Sequence, residues 1–519
     1  MKKNFQSFFF LLTLHLFFIS CQQENNDKKK GTTEEKTKLT SISIEDEVVF
    51  QTIDNFGASD AWSMQHIGNW PTHKKQKIAQ LLFSQELDKN NNPLGIGLSL
   101  WRFNLGAGSA QQGADSGIAD EWRRADSFLQ LDGTYSWQRQ SGQVWFAKAA
   151  KAYEVDQLLV FLNSPHVNFT RNNKAFSASG DQSNLAVVNY KKFADYLSHS
   201  IKGMENLGLS VDIISPFNEP QWDWADGGQE GTPFWNEEIA EITRLINKSF
   251  IQNNIETKID LPETAQLNYL VEDDNKSGRG TQLDYFFNEN SAGYIGDLEH
   301  LGKVISGHSY FTTSPTSKLV GERKKLNQAL KDFKNLKFWM SEYCILGDNN
   351  GEIEGNSKDL SIEPALYMAK VIHHDLSIAN ASAWHWWTAV SVYDYKDGLI
   401  YADKNKKDGN FEESKMLWAL GNYSRFIRPG AKRIQINTEE QLPEEILISG
   451  FRSPDNQENV LVIINPLNRK IQVQFKNNEK LLTPRSSYVT SSAKNLASVE
   501  YGTKISLTEK SITTLIFSK

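Results

Sequence analysis

Two glutamates stand in matching surroundings. The stretch "SPFNEPQWDW", Ser215 to Trp224, sets Glu219 just beyond the apolar run "VDIIS", and "FWMSEYC" sets Glu342 beyond a second one. A carboxylate at the end of a buried strand and among aromatics is costly to desolvate unless it is used. The competing reading for Glu219 is a surface turn, since Asn218 and Pro220 are turn formers. Two carboxylates facing each other across a cleft suit glycoside hydrolysis, in which one donates a proton to the leaving oxygen and the other attacks the anomeric carbon. One must then be protonated and the other ionised at working pH, and their environments must separate the two.

Such a pair needs a scaffold. Eight β-rich runs recur along the chain: "NFGAS", "LSLWRFNLG", "QLLVFLNSP", "VDIISPFNEP", "ETKIDLPETA", "VISGHSYF", "LKFWMSEYC" and "ASAWHWWTAVS". Amphipathic stretches at helical spacing, such as "NYKKFADYLSHSIKGMENLG", fall between them. Strand and helix alternating eight times predicts a (β/α)8 TIM barrel. A doubly wound sheet is the alternative, but no Gly-rich phosphate turn follows any run. Functional side chains of a barrel gather at the C-terminal strand ends. Runs four and seven, which carry Glu219 and Glu342, lie on opposite sides of the ring. After "GNYSRFIRPG" the runs become short and alternating, as in "NVLVIINPL" and "SITTLIFSK", which predicts a C-terminal β-sandwich. The strand around Val48–Phe50 precedes the barrel and is expected to pair within that side domain, because it otherwise leaves a bare edge. The expected division is a leader over 1–21, a tether over 22–40, side-domain strand over 41–55, barrel over 56–424 and sandwich over 425–519.

The 519 residues, 39% hydrophobic and 23% charged, suffice for a large core, and a net charge of −7 spread over mixed signs gives no footprint for nucleic acid. The 14 Trp and 16 Tyr supply flat apolar faces with polar edges, a match for sugar rings. The start, "MKKNFQSFFFLLTLHLFFISC", has two lysines, an apolar stretch from Phe8 to Ile19, and Ser20-Cys21: a secretory signal, too short to span a bilayer. It resembles a bacterial lipoprotein signal, which implies lipidation at Cys21 and export to a membrane face; an ordinary cleaved signal is the other reading. The polar stretch after it reads as a flexible tether. The other cysteine, Cys344, is read as small buried filler, and no Cys/His metal cluster, cofactor motif or intrachain disulfide is expected.

The sequence as a whole resembles glycoside hydrolase family 30, a clan A family of retaining (β/α)8 glycosidases with a side β-sandwich. The resemblance runs from about Asn55 to the C-terminus. It rests on "FGAS" at Phe56–Ser59, Arg102 in "LWRFNLG", "NEP" at 218–220, "GHSY" at 307–310, "SEY" at 341–343 and "GNYSRFIRPG" at 421–430. It implies Glu219 as acid/base, Glu342 as nucleophile, Asn218 on the substrate 2-hydroxyl, and Arg102 beside Glu342. His308 and Tyr310, two apart on one strand, share a face near the nucleophile. Arg102 as a plain interior ion pair and His308 as a core histidine remain the alternatives. Alternation sends Trp384 and Trp386 one way and His385 and Trp387 the other. Trp386 is taken as the sugar platform, with a core role as the alternative, and Trp62, Trp222 and Trp224 as cleft walls.

Family 30 acts on several β-linked glycans. The stretches "FGASDAWSMQHIG" and "WHWWTAVSVYDYKDGLIY" resemble endo-β-1,6-galactanase-like bacterial members. Other family activities (β-1,6-glucanase, xylanase, β-fucosidase, β-xylosidase) stay open, as does a monomeric surface lipoprotein that only binds glycan. The binder would be marked by loss of a carboxylate, and both are present. A barrel lyase or aldolase would want a metal cluster or a Schiff-base lysine at a strand end.

Overall fold

Eight parallel strands form the ring that carries the site. β1 spans Leu39–Thr52 outside it, and the ring consists of β2 (Asn55–Ser59), β3 (Leu100–Asn104), β4 (Gln157–Phe161), β5 (Ile213–Ser215), β6 (Lys258–Ile259), β7 (Val304–His308), β8 (Lys337–Tyr343) and β9 (Ala383–Trp386). The structure is a computed structural model, and it describes residues 39–438 and 442–519. The expected signal, Cys21 and nearly all of the tether lie outside the described residues; β1 already begins at Leu39, inside the stretch assigned to the tether. The strand order is β6-β5-β4-β3-β2-β9-β8-β7. β6 is only two residues long, so closure against β7 comes from the loop after it: Ser306 N donates to Leu261 O at 3.1 Å and His308 N to Thr264 O at 2.9 Å. All eight β-rich runs of the sequence are barrel strands, and the fold is a TIM barrel with a side β-sandwich.

Alternation decides which side chains meet inside the ring. On β3, Trp101 and Phe103 face outward, where Trp101 meets Phe83 edge-on at 5.0 Å and Phe103 stacks near Phe128, while Leu100, Arg102 and Asn104 turn inward. Leu100, Leu159, Phe161, Ile213, Trp339 and Ala383 fill the interior beneath the mouth. β8 breaks the alternation. Its pairing register shifts between Met340 and Tyr343 against β9, and between Gly307 and His308 against β7. Met340 and Tyr343 both join the outer core, whereas Ser341 and Glu342 both turn into the barrel. An irregularity at a strand end that re-aims a side chain is how a β-bulge acts next to active sites.

The side domain is a ten-stranded sheet curled on itself. β1 lies inside it, antiparallel to Lys432–Thr438 (Ile44 opposite Ile436) and parallel to Ile471–Asn477 (Ile42 opposite Phe475). Strand Glu458–Asn465 is buried on both faces. Leu461 and Ile463 join the sheet's own core with Ile42, Ile44, Val473 and Phe475, while Val460, Val462 and Ile464 join the core shared with the barrel. Burial on two faces accounts for the unbroken apolar run "NVLVII". Beyond β9 the chain forms a small sheet of Thr388–Ser391, Gly398–Ala402 and Phe411–Glu413. No helix among the described residues is long and apolar enough to cross a membrane.

Candidate active site

Glu219 follows β5, and its backbone sits at φ 43°, in the left-handed region. Bulky side chains avoid that region, and such outliers persist where surrounding contacts over-determine them, often at functional sites. Three bonds hold this one: Glu219 N donates to Glu263 O at 2.8 Å, and Glu219 O accepts from Trp222 N and from Trp224 Nε1, each at 3.1 Å. The side chain then points across the mouth. Oxygens of Glu219 and Glu342 lie within 4.8 Å of each other.

Glu342 is held from two sides: Arg102 Nη1 donates to Oε2 at 3.1 Å and Tyr310 Oη to Oε1 at 3.1 Å. Arg102 is fully buried and lies over the Phe161 ring at 4.5 Å. Burial weighs against its charge, but Glu263 and Glu342 outweigh that and hold it firmly protonated. His308 Nδ1 is 2.9 Å from Glu219 Oε1, and its Nε2 is 2.8 Å from Glu263 Oε2. Burial alone would lower the imidazole; Glu342, Glu219 and Glu263 override it and raise it to about 10. Burial pushes the Glu219 carboxyl up, against the pull of His308 and with the help of Glu342 and Glu263.

Glu263 was missed in the sequence. It stands after β6, fully buried, at φ 51°, and links Arg102, His308 and Ser341. Burial opposes its charge, but Arg102 and then His308 hold it well below the usual carboxylate range. The signal was present: "KIDLPETA" places an acid at a strand end as "SPFNEP" and "FWMSEYC" do. Asn163 after β4 was missed too. It is 2% exposed and neither polar atom of its amide finds a partner in the protein; Asn218 Oδ1 and Trp62 Nε1 are in the same position. Buried polar groups are nearly always paired, so orphaned groups at the mouth are suited to sugar hydroxyls.

The aromatics divide. Trp62 meets Trp387 edge-on at 5.3 Å and lies under Arg123 at 5.4 Å. Trp222 meets the exposed Phe311 edge-on at 6.2 Å beside Lys276. Trp386 does not line the mouth. It is fully buried, donates from Nε1 to Asp397 O at 2.6 Å and stacks with Trp384. The reason is parity: His385 faces inward, near Trp339 and bonded to Asn55, so both tryptophans beside it face outward, and the half-buried Trp387 stands where Trp386 was expected. Cys344 is buried, with burial pushing its thiol well up, an inert filler. Glu219, His308 and Glu342 each bring one potential metal-ligand atom into a common space, but the carboxylates around His308 raise it to about 10, which favours a protonated ring over one with a lone pair to give.

A sequence model of O-Glycosyl hydrolase family 30 matches residues 39–401. The chain is 25% identical over 329 residues to glucuronoxylanase XynC of Bacillus subtilis, 62% of this chain and 64% of that one. It is 26% identical over 147 residues to an exo-beta-1,6-galactobiohydrolase of Bifidobacterium longum, 27% of this chain and 10% of that one. It thus spans under two thirds of the length of these curated relatives. The crystal structure of a conserved exported protein from Bacteroides fragilis superposes with a TM-score of 0.85 at 33% identity, over 92% of this chain and 100% of that one. The family match takes in β1 and all eight strands of the ring, and the chain belongs to O-glycosyl hydrolase family 30.

Proposed function

We propose that the protein is a retaining β-glycosidase with Glu219 as acid/base and Glu342 as nucleophile, acting as an endo-β-1,6-galactanase. The observation that carries the chemistry is the pair of carboxylates within 4.8 Å of each other, set in unequal surroundings: burial raises Glu219, while Arg102 and Tyr310 hold both oxygens of Glu342. A retaining pair stands roughly 5–5.5 Å apart, whereas an inverting pair leaves about 6.5–9.5 Å for a water. The orphaned Oδ1 of Asn218, beside the acid, supports its reading as the contact for the 2-hydroxyl. A β-1,6-linked galactan is supported by the two stretches named above and by the similarity to the Bifidobacterium longum enzyme. Glucuronoxylan is the second reading, supported by the similarity to the Bacillus subtilis enzyme and by Arg123 over Trp62 and Tyr393 on the rim, a cation that suits an acidic side group. Incubation with β-1,6-galactan, β-1,6-glucan, glucuronoxylan and aryl β-glycosides, with products resolved by length, decides between them. Long oligomers from galactan are expected; disaccharides from chain ends would make the enzyme exo-acting, and no product from any β-glycan would leave a binder.

The leader supports export with a lipid on Cys21 and tethering to a membrane face, and the Bacteroides fragilis neighbour is described as exported. Labelled palmitate should be incorporated by the native protein and not by Cys21→Ala.

A further inference from the structure

The carboxylate of Glu263 lies behind the reacting groups, yet it bonds to the partners of both. Its Oε1 accepts from Arg102 Nη2 at 3.1 Å, and its Oε2 accepts from Ser341 Oγ at 2.6 Å and faces His308 Nε2 at 2.8 Å. His308 is thereby caught between two carboxylates, with Glu219 Oε1 at 2.9 Å from its Nδ1. Ionised Glu263 can only accept, so it takes a hydrogen from Nε2, and Glu219 Oε1 takes one from Nδ1 when the Glu219 proton sits on its other oxygen; both contacts then use a ring with two hydrogens. We propose that Glu263 is a positioning residue that keeps His308 an imidazolium, so that its Nδ1–H occupies Glu219 Oε1 and the proton for the leaving group rides on Oε2. This rests on the reading of Glu219 as the acid.

The charges around the ring agree. Facing His308 are Glu219, Glu263 and Glu342, whose Oε1 is 3.7 Å from Nδ1, with Tyr310 edge-on at 5.8 Å and Arg102 beyond the carboxylates. Next outward, burial and then Arg102 hold His385 down to about 3, and burial and then Glu263 raise Asp260 to about 8, which favours the neutral form of each. Three carboxyl groups thus share the space with two cations. The cluster is neutral when one carboxyl is protonated, and Glu219 is the one that burial pushes up. In the first step the Glu219 proton passes to the leaving oxygen as the glycosidic bond breaks and Glu342 bonds to the anomeric carbon. Glu219 gains the negative charge that Glu342 loses, and the imidazolium is already in place to stabilise it. In the second step a water gives its proton to Glu219 while its oxygen displaces Glu342. Without the counter-charge behind it, His308 gives up its second proton, and Glu219 becomes a weaker acid because the carboxylate it leaves loses its cationic neighbour.

The test is ¹⁵N NMR of histidine-labelled full-length enzyme, with His308 signals identified by their loss in His308→Asn. In the native protein His308 should keep both ring protons at pH 8. In Glu263→Gln the second proton should be gone by about pH 7, near the ordinary histidine range, while Glu263→Asp, which keeps the charge, should retain it. Glycan cleavage by Glu263→Gln should fall about 10- to 100-fold, part of what a general acid contributes, with an activated aryl glycoside losing under about 3-fold. A native His308 carrying one ring proton at pH 8 overturns the proposal, and so does a Glu263→Gln enzyme whose His308 titrates where the native one does. If Glu263→Gln does not fold, the native spectrum decides alone. The ring reports without turnover, so its result stands apart from the acid assignment, which would fail instead if Glu219→Ala cleaved glycan at the native rate.

Discussion

The end of β7 separates two buried ionic clusters, served by its last residue and by the residue after it. His308 faces inward to Glu219, Glu263, Glu342 and Arg102. Ser309 faces outward to Arg323 and Asp375, where Arg323 Nε donates to Asp375 Oδ1 at 2.7 Å, Arg323 Nη2 to Ser309 Oγ at 3.0 Å, and Trp384 Nε1 to Asp375 Oδ2 at 2.9 Å. Arg323 also donates to the carbonyls of Thr312 and Leu319. Both clusters are buried, but the inner one keeps Glu219 and Glu342 slightly exposed at the mouth, at 7% and 4%, while Ser309, Arg323 and Asp375 are fully enclosed. The outer one matches one cation to one anion and has the form of a structural joint. The inner one has an anion too many and orphaned polar groups around it, so its charge is set by a proton that can move. Burial alone does not mark a catalytic carboxylate; unequal charge counts and unsatisfied neighbours do.

The comparison is broken most severely at the nucleophile. Glu342→Ala should lose on the order of 10⁴- to 10⁶-fold in kcat on every substrate, as when a member of a catalytic unit is removed, and azide should restore turnover as the inverted α-glycosyl azide. Glu219→Ala should lose about 10²- to 10⁴-fold on glycan but far less on aryl glycosides with good leaving groups, with azide giving the β-product. Exchanged configurations would mean exchanged roles.

The outer cluster should respond in stability and not in chemistry. Asp375→Asn leaves Arg323 buried without its anion, a break of the kind that costs about 3–5 kcal/mol. Its melting temperature should drop, while kcat/KM per folded molecule stays native; a selective loss of kcat would make that cluster part of the site. The inner cluster adds a pH term. His308 is raised in the folded protein, from an unfolded value near 6.5 to about 10, so its stabilising contribution is complete below 6.5 and is lost as pH rises through 10. The native melting temperature should therefore fall across that window, more steeply than in His308→Asn. The smallest effect separates two tryptophans: Trp62→Ala should raise KM for glycan several-fold, on the scale of about 1 kcal/mol for one stacking face, whereas Trp386→Phe should shift melting and leave KM alone.

Patterns of period two and repeated strand–helix alternation carried the barrel, and the two glutamates were legible because acids at apolar strand ends are costly. Glu263 obeyed the same rule and was passed over because its strand is only two residues long, with the ring closed by the loop beyond it. Trp386 was misplaced because alternation gives two faces without saying which is inner; the packing of His385 against Asn55 and Trp339 settles that in three dimensions. The break of alternation on β8, which lets Ser341 and Glu342 face the same way, leaves no mark in the residue types of "WMSEYC".

β1 lies in the middle of the side sheet, with its neighbours at the far end of the chain. The first strand of the described residues is thus among the last to be satisfied. Until residues 432–438 have been synthesised it has no strand partner, and it gains the second only with residues 471–477, so a fragment ending at Ser424 would present it as a bare, half-apolar template for other chains. Pairing across nearly the whole sequence also means that a large loop-closure entropy is met before the contact is made. Joining of the two ends is therefore expected late in folding, and truncation from either end should leave the same sheet incomplete.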